Sequence, residues 1–303
     1  MRDGPRSRIQ AHDLDLPPRH HDLVPPPMTA ESFLPASLHP WIERIWVQAR
    51  PAGPARALRE HSLPNGSMHL VVRLDGPPLR LYAGADDRIG RRHAAATVAG
   101  IRATYCIKDT SAPAASVGAV LRPGAALALF GVSAAELAGQ HVSLGDLCGN
   151  AAELLYERLA VTDDPRRRRQ VFERFLHERL RPLRGLDPQI AQAATRLERA
   201  SGTDDTIAAI AQAGGRSHRH FIAGFRDAVG LAPKRYARVQ RFRRLLAALS
   251  ATPRPAWAQL ALEHGYFDQS HLIREFREFA GVSPREYLAA PLAAPHHLPI
   301  GPG

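Results

Sequence analysis

The chain has 303 residues, enough for two domains that each bury a core of their own. Its formal net charge is +11 because 40 Lys and Arg residues outnumber 29 Asp and Glu residues, and this excess favours a polyanionic partner. The two cysteines, Cys106 and Cys148, occur in neither CxxC nor CxxH spacing, which argues against a disulfide framework or a structural zinc. The sequence has no run of about 18 apolar residues and no signal-peptide core, so we expect a soluble cytoplasmic protein of bacterial type.

The first part of the chain predicts a tail followed by a domain of strands and helices. Residues 1–30 are rich in Pro, His, Arg and Asp and predict a disordered tail, with a histidine metal arm as the alternative. Residues 31–184 predict a first domain, with strands to about residue 123 and Ala- and Leu-rich helices after it. Residues 56–63 and 67–74 flank an Asn-Gly turn and predict a hairpin. Short strands of this kind favour a small antiparallel barrel or sandwich.

The last hundred residues contain an internal repeat. Five positions of the first copy recur 51 positions later in the second, and the pairs are Phe221 and Leu272, Phe225 and Phe276, Gly230 and Gly281, Pro233 and Pro284, and Tyr236 and Tyr287. Each copy has the pattern of two helices joined by a tight turn, a helix-turn-helix. Residues 234–249 predict a rigid spacer helix, which could hold two recognition helices about one DNA turn, ~34 Å, apart. We therefore predict an α+β protein whose all-α domain spans residues 187–290, followed by a disordered tail over residues 291–303.

The repeat also carries a family resemblance. Residues 188–289 resemble the DNA-binding domain of the AraC/XylS family of transcriptional regulators. The second copy, ALEHGYFDQSHLIREFREFAGVSPREY, is similar to the family signature over its whole length. The first copy, IAQAGGRSHRHFIAGFRDAVGLAPKRY, departs at Arg216, where an apolar residue is usual, and at Ala223, where an Arg is common. The resemblance implies two helix-turn-helix motifs that bind DNA, and no cofactor.

The N-terminal part carries a second resemblance. Residues 38–47, 61–74 and 117–139 resemble a sensor-like region that is fused to some members of the same family and has no assigned ligand. The resemblance implies that residues 31–184 form a sensor-like or dimerisation domain. Candidates for the lining of an effector pocket, each with core packing as the alternative, are Trp46, His61, Met68, His69 and Tyr105.

The polar face opposite the apolar stripe of each recognition helix predicts the DNA contacts. In the second copy Arg274 can pair with guanine, Gln269 with adenine, and Ile273 can pack on a thymine methyl group. The predicted base-contacting residues are His218, Arg219, Ile222, Gln269, Ser270, Ile273 and Arg274. The predicted phosphate-contacting residues, which position the protein without reading sequence, are Ser217, Arg226, Lys234, Arg235, Arg277 and Arg285. For each arginine, a solvated surface position is the alternative.

These patterns favour a sequence-specific DNA-binding transcriptional regulator. The expected partners are double-stranded DNA, a small effector or a second copy of the chain at the N-terminal domain, and RNA polymerase if the protein is an activator. The sequence contains no GxSxG, HExxH or phosphate-loop motif and no activated cysteine, so we predict no enzyme activity and no metal. Two alternatives stay open: a DNA-repair-type enzyme fused to a helix-turn-helix module, and a non-specific architectural DNA binder.

Overall fold

The computed structural model describes residues 34–50, 58–112, 114–181, 185–199, 217–252, 255–292 and 294–300. The strands in these residues are β1 (Ile42–Gln48), β2 (Arg59–Ser62), β3 (Met68–Arg73), β4 (Arg80–Tyr82), β5 (Arg91–Arg92), β6 (Ala96–Ala99), β7 (Cys106–Asp109), β8 (Ser116–Leu121), β9 (His141–Ser143) and β10 (His297–Ile300). The helices in these residues are α1 (Ala125–Phe130), α2 (Ala134–Leu137), α3 (Leu144–Cys148), α4 (Asn150–Ala160), α5 (Pro165–Arg179), α6 (Pro188–Arg199), α7 (His218–Val229), α8 (Pro233–Ala251), α9 (Trp257–Glu263), α10 (Gln269–Ala280) and α11 (Pro284–Ala289).

The first sheet has the order β1-β8-β3-β6-β9, and all of its neighbouring strands are antiparallel. β3 alternates between buried and half-buried residues, with Met68, Leu70 and Val72 buried, as the period of two in a strand requires. β8 is buried along its whole length. Helix α5 packs on β1 and β8 and adds Phe172 and Leu176 to the same core.

The second sheet has the order β10-β2-β7-β4-β5 and is also antiparallel. Two antiparallel sheets followed by helices confirm the predicted α+β fold class, but the predicted hairpin is wrong. β2 pairs with β7 and β10, whereas β3 pairs with β6 and β8, so the Asn-Gly turn carries the chain from one sheet to the other. Asn65 accepts a hydrogen bond from the Ser67 amide (3.1 Å), and Gly66 has a φ of 77°. The tight turn is therefore present, and only the pairing of its flanking strands differs.

The segment after the last helix returns to the N-terminal domain. The sequence predicts a disordered tail over residues 291–303, but within it His297–Ile300 pair with β2 as strand β10. Leu298 is 4% exposed, and the Tyr287 hydroxyl donates a hydrogen bond to Pro295 O (2.8 Å). These contacts order the segment, and the pairing covers a sheet edge that β2 would otherwise leave open. Residues 1–30, the other predicted tail, lie outside the described residues.

Local signals position the two recognition helices, α7 and α10. Ser217 caps α7 and Asp268 caps α10, each by accepting a hydrogen bond from a backbone amide of the first turn. Both helices end at a glycine in the left-handed conformation, Gly230 and Gly281. The spacer helix predicted over residues 234–249 is α8.

The buried side chains form two clusters, and both extend across the predicted domain boundary. The first cluster joins the first sheet and its helices to α6, α7 and the start of α8, and it includes Phe225 and Tyr236. The second cluster joins the rest of α8 to α9, α10 and α11, and it includes Leu63 and Leu298 from the segments around β2 and β10. Each copy of the repeat therefore packs on the N-terminal domain through a different set of residues, while the boundaries 31–184 and 187–290 stay a prediction.

Candidate nucleic-acid interface

The second helix-turn-helix motif, formed by α9 and α10, lies wholly within the described residues. Gly265 in its turn has a φ of 74°, a conformation in which a residue with a Cβ would be strained. Tyr266 is 2% exposed and packs with α9 against the apolar stripe of α10. That stripe consists of Leu272, Phe276 and Phe279, each fully buried. The turn and the stripe together hold α10 so that its opposite face is turned to solvent.

The outward face of α10 carries the side chains predicted to contact bases. Ser270 and Arg274 are exposed, and Gln269 and Ile273 are half-buried. Arg277 is exposed one turn nearer the C-terminus. Within the described part of the chain neither arginine makes a hydrogen bond or an ion pair. Both guanidinium groups, with five N–H donors each, therefore remain available to a partner.

Helix α7 presents a similar face with a shorter reach. Its half-buried Ile222 lies beside a set of exposed residues, which are Ser217, His218, Arg219, Ala223 and Arg226. Arg219 makes no hydrogen bond or ion pair with any residue that the structure describes. Ala223 occupies the position that Arg274 has in α10, and a methyl group cannot reach a base edge from there. The segment predicted to form the first helix and turn of this motif, with Arg216, falls in residues 200–216, outside the described ranges.

The predicted phosphate contacts fall into two groups. All of them except the half-buried Arg235 are exposed. Two of them, Arg235 and Ser217, make hydrogen bonds with identified partners within the protein. Arg235 pairs with Glu278 and donates to Ala103 O (3.3 Å), so its guanidinium is largely committed. The Ser217 hydroxyl accepts from the His220 amide (3.3 Å), which leaves its own hydrogen to donate to a phosphate.

An ion-pair network joins α10 to the spacer helix α8. Its buried centre is Glu275 with Arg241, and Arg238 and Glu278 extend it towards the surface. Glu275 has a side chain that is 1% exposed, and its Oε2 lies 2.7 Å from Arg241 Nη2 and 2.7 Å from Arg238 Nε. Arg241 also donates to Gly265 O in the turn (2.9 Å). One guanidinium thus connects the spacer helix, the turn and the recognition helix.

The sequence interpretation missed this network, although one signal for it was present. Glu275 lies three residues after Leu272 and one before Phe276, so helical geometry places its carboxylate on the buried face. A carboxylate in that position requires a buried cation. Although burial acts in the opposite direction, hydrogen bonds from Arg238 and Arg235 hold the pKa of Glu278 below its usual range, so Glu278 is ionised near neutral pH.

The N-terminal domain holds the C-terminal end of both recognition helices. His61 Nδ1 donates to Ala280 O at the end of α10 (2.8 Å), and the His61 ring stacks on Tyr105 with centroids 4.2 Å apart. Burial lowers the pKa of His61 despite that hydrogen bond. At the end of α7 the Gly124 amide donates to Ala228 O (2.8 Å). Because the predicted base-contacting residues lie nearer the opposite ends of both helices, these contacts leave them uncovered.

Metal-ligand clusters and activated thiols were the other sites that the sequence raised. No group of three or more His, Cys, Asp and Glu side chains among them could hold a metal ion. Burial raises the pKa of the Cys106 and Cys148 thiols, which disfavours the reactive thiolate. None of the described helices is long and apolar enough to cross a membrane.

Comparisons with known families agree with this geometry. Residues 210–290 match a family model described as a helix-turn-helix domain. The protein is therefore of the helix-turn-helix class, a DNA-binding transcriptional regulator. Residues 32–143 match a domain of unknown function, DUF6597. The chain thus carries an AraC-type helix-turn-helix domain behind a DUF6597 domain, which confirms both resemblances found in the sequence.

Solved structures of ToxT from Vibrio cholerae are distant neighbours in fold. One of them covers 81% of this chain and 97% of its own, at 10% sequence identity and a TM-score of 0.41. A structure of wild-type ToxT from strain SCE256 with bound unsaturated fatty acid covers 80% of this chain and 94% of its own, at 11% identity and a TM-score of 0.44. A search of curated proteins gave no significant match.

Proposed function

We propose that the protein binds a specific double-stranded DNA sequence with α7 and α10 in successive major grooves and so regulates transcription. The observation that carries the proposal is a pair of exposed arginines, Arg219 and Arg274, each on the outward face of a capped recognition helix and without a partner among the described residues. The spacer helix α8 has 19 residues and, at ~1.5 Å per residue, is roughly 28 Å long. That length is on the scale of the ~34 Å between successive major grooves on one face of DNA.

The proposed base contacts follow from the chemistry of each exposed side chain. Arg274 can donate two hydrogen bonds to guanine O6 and N7, and Gln269 matches adenine N6 and N7. Ile273 and Ile222 offer apolar surface to a thymine methyl group. The polar side chains that complete the two reading faces are His218, Arg219 and Ser270. The proposed phosphate contacts are Ser217, Arg226, Lys234, Arg277 and Arg285, while Arg235 acts through its pair with Glu278.

The two motifs should contribute unequally to specificity. Arg274 gives α10 a long bidentate donor where α7 has only Ala223. We therefore expect the second half of the binding site to carry more sequence information than the first. Selection of bound sequences from a random library would measure this, and a motif whose information lies mainly in the half contacted by Arg219 would contradict it.

A comparison of two arginines one turn apart tests the proposal. Arg274→Ala should cost ~1–3 kcal/mol at one base position and relax specificity there, because a bidentate base contact is lost. Arg277→Ala should weaken binding to all sequences alike and lower the slope of log affinity against log salt concentration by about one, because a phosphate contact is lost. Quantitative footprinting at several salt concentrations measures both effects.

Arg167→Ala supplies the matched control, because Arg167 is an exposed arginine on α5 in the N-terminal domain. This variant should bind like the parent protein. If Arg274→Ala keeps full discrimination at every base position, the assignment of α10 as the reading helix is wrong.

The alternatives predict different behaviour in the same experiments. An architectural binder would show no preferred sequence in the selection. A repair-type enzyme would need an activated cysteine, and the raised pKa of both thiols opposes this. The N-terminal domain contacts both recognition helices, which favours a regulatory role for it. An effector or a second copy of the chain that binds this domain would change the position of the helices relative to DNA. As an activator, the bound protein would also contact RNA polymerase.

A further inference from the structure

A cavity of about 280 Å³ lies at the junction of the N-terminal domain and the first helix-turn-helix motif. We call it the joint cavity. Its walls come from the turn before β3, the end of β8, the end of α7 and one face of α8. The buried side chains of Met68, Ile101 and Val229 supply apolar surface. Ligand pockets usually measure ~300–1,000 Å³, so only a small molecule fits.

The polar lining of the joint cavity contains charges of both signs. Arg122 and Arg243 are its cations, and Glu43 and Glu198 are its anions. Glu198 accepts a hydrogen bond from the Tyr236 hydroxyl (2.8 Å). Arg243 makes no hydrogen bond or ion pair within the described ranges, although it lines a partly enclosed space. Its guanidinium is therefore available to an anionic group.

A second observation shows that polar groups at this junction lack partners. Gln240 is 1% exposed, and its Nε2 donates to Gly66 O in the cavity wall (3.4 Å). Its Oε1 is buried and accepts no hydrogen bond from the described residues. Buried acceptors are nearly always paired in folded proteins. Because Gln240 does not line the joint cavity, this oxygen marks imperfect packing behind the wall and is not itself a ligand contact.

We propose that the joint cavity binds a small aliphatic amino acid or a zwitterion of the same size. Its carboxylate pairs with Arg243 and Arg122, and its ammonium group faces Glu198. A short aliphatic side chain packs on Met68, Ile101 and Val229. A singly charged ligand would leave the opposite charges of the lining uncompensated, which is costly in a partly buried site.

The position of the joint cavity couples it to DNA binding, and this step rests on the proposed function. The last turn of α7, Ala228 and Val229, forms part of the wall. The second motif is attached to the N-terminal domain elsewhere, through the His61 contact with Ala280 and through β10. Occupancy of the joint cavity therefore changes the position of α7 relative to α10. Because both helices must fit successive major grooves, this change alters the affinity for DNA.

Calorimetric titration of the full-length protein without DNA tests the ligand class. The probes are L-leucine, isocaproate, which lacks the ammonium group, and isoamylamine, which lacks the carboxylate. We expect only L-leucine to bind below about 10 mM, and Arg243→Met to weaken its binding about tenfold. The Arg243→Met protein should unfold like the parent without ligand, because Arg243 has no internal partner there, and Arg167→Ala should bind L-leucine normally.

Each outcome of the titration decides one claim. If isocaproate or isoamylamine binds as tightly as L-leucine, the claim that the ligand must be a zwitterion is wrong. If no probe binds, the claim that the joint cavity is a ligand site is wrong. Footprinting with and without L-leucine then tests the coupling. L-leucine should change DNA affinity about fivefold or more, and DNA should change L-leucine affinity by the same factor. If L-leucine binds and DNA affinity does not change, the coupling is wrong. If DNA does not bind specifically at all, the proposed function fails, while the calorimetry still reports on the joint cavity.

Discussion

The buried centre of the ion-pair network predicts that the charge of Glu275 sets the stability of the second helix-turn-helix motif. Glu275→Gln keeps the size of the side chain but leaves Arg241, whose side chain is 7% exposed, without its carboxylate. Removing one partner of a buried ion pair costs ~3–5 kcal/mol because the other charge stays desolvated. Glutamine can still accept one hydrogen bond, and Glu278 can still pair with Arg238, so we expect a loss near the lower bound, about 3 kcal/mol.

Urea unfolding followed by the fluorescence of the tryptophans, including Trp257 in α9, measures this loss. Glu278→Gln is the matched control, because the Glu278 side chain is 38% exposed and its pairs should contribute less than ~1 kcal/mol. A double variant, Glu275→Leu with Arg241→Met, should recover stability relative to Glu275→Gln, since neither buried charge remains. Equal losses for Glu275→Gln and Glu278→Gln would refute the reasoning, because the burial of the carboxylate would then have no energetic consequence.

Two further predictions concern the contact between the domains. Gly281→Ala puts a Cβ 2.6 Å from the Tyr105 ring at a φ of 75°. It should destabilise the protein by more than Gly139→Ala, where the φ is 74° and no atom lies within 4 Å of the added Cβ. At Gly139 only ~1 kcal/mol of backbone strain is expected. Equal urea midpoints for the two variants would mean that Tyr105 moves aside. Burial lowers the pKa of His69 and of His296 from 6.5 to about 4, so the unfolded chain takes up protons first and stability should fall as the pH drops from 6.5 towards 4. His69→Gln should reduce the slope of stability against pH in that window, and an unchanged slope would contradict the buried neutral imidazole.

The parts of the fold that sequence predicts well depend on neighbours along the chain. Ser217, Asp268, Gly230 and Gly281 cap the recognition helices through contacts within a few residues, so the repeat was sufficient to place α7 and α10. The pairing of β2 depends on β7 and β10, which lie far away in sequence, and a local turn signal at Asn65-Gly66 carries no information about them.

In the candidate site, too, the features set by local sequence could be predicted and those set by distant contacts could not. The exposed faces of α7 and α10 are visible in the helical period, because solvent is the default surrounding of a polar residue. The commitment of Arg235 to Glu278 is not visible there, since their pairing depends on how two helices cross. The joint cavity is also a product of packing between elements, and Met68 alone among the early candidates for a pocket lines it.

Strand β10 also bears on how the chain folds during synthesis. Glu60 in β2 and His297 in β10 contact each other across 237 positions of sequence. At ~5–20 residues per second, a ribosome needs on the order of 10–50 s between making these two strands. During that interval β2 has one open edge, which can pair with another nascent chain. The DNA-binding helices must therefore emerge before the second sheet of the N-terminal domain can be completed, and a chain truncated before residue 297 should aggregate rather than yield a soluble N-terminal domain.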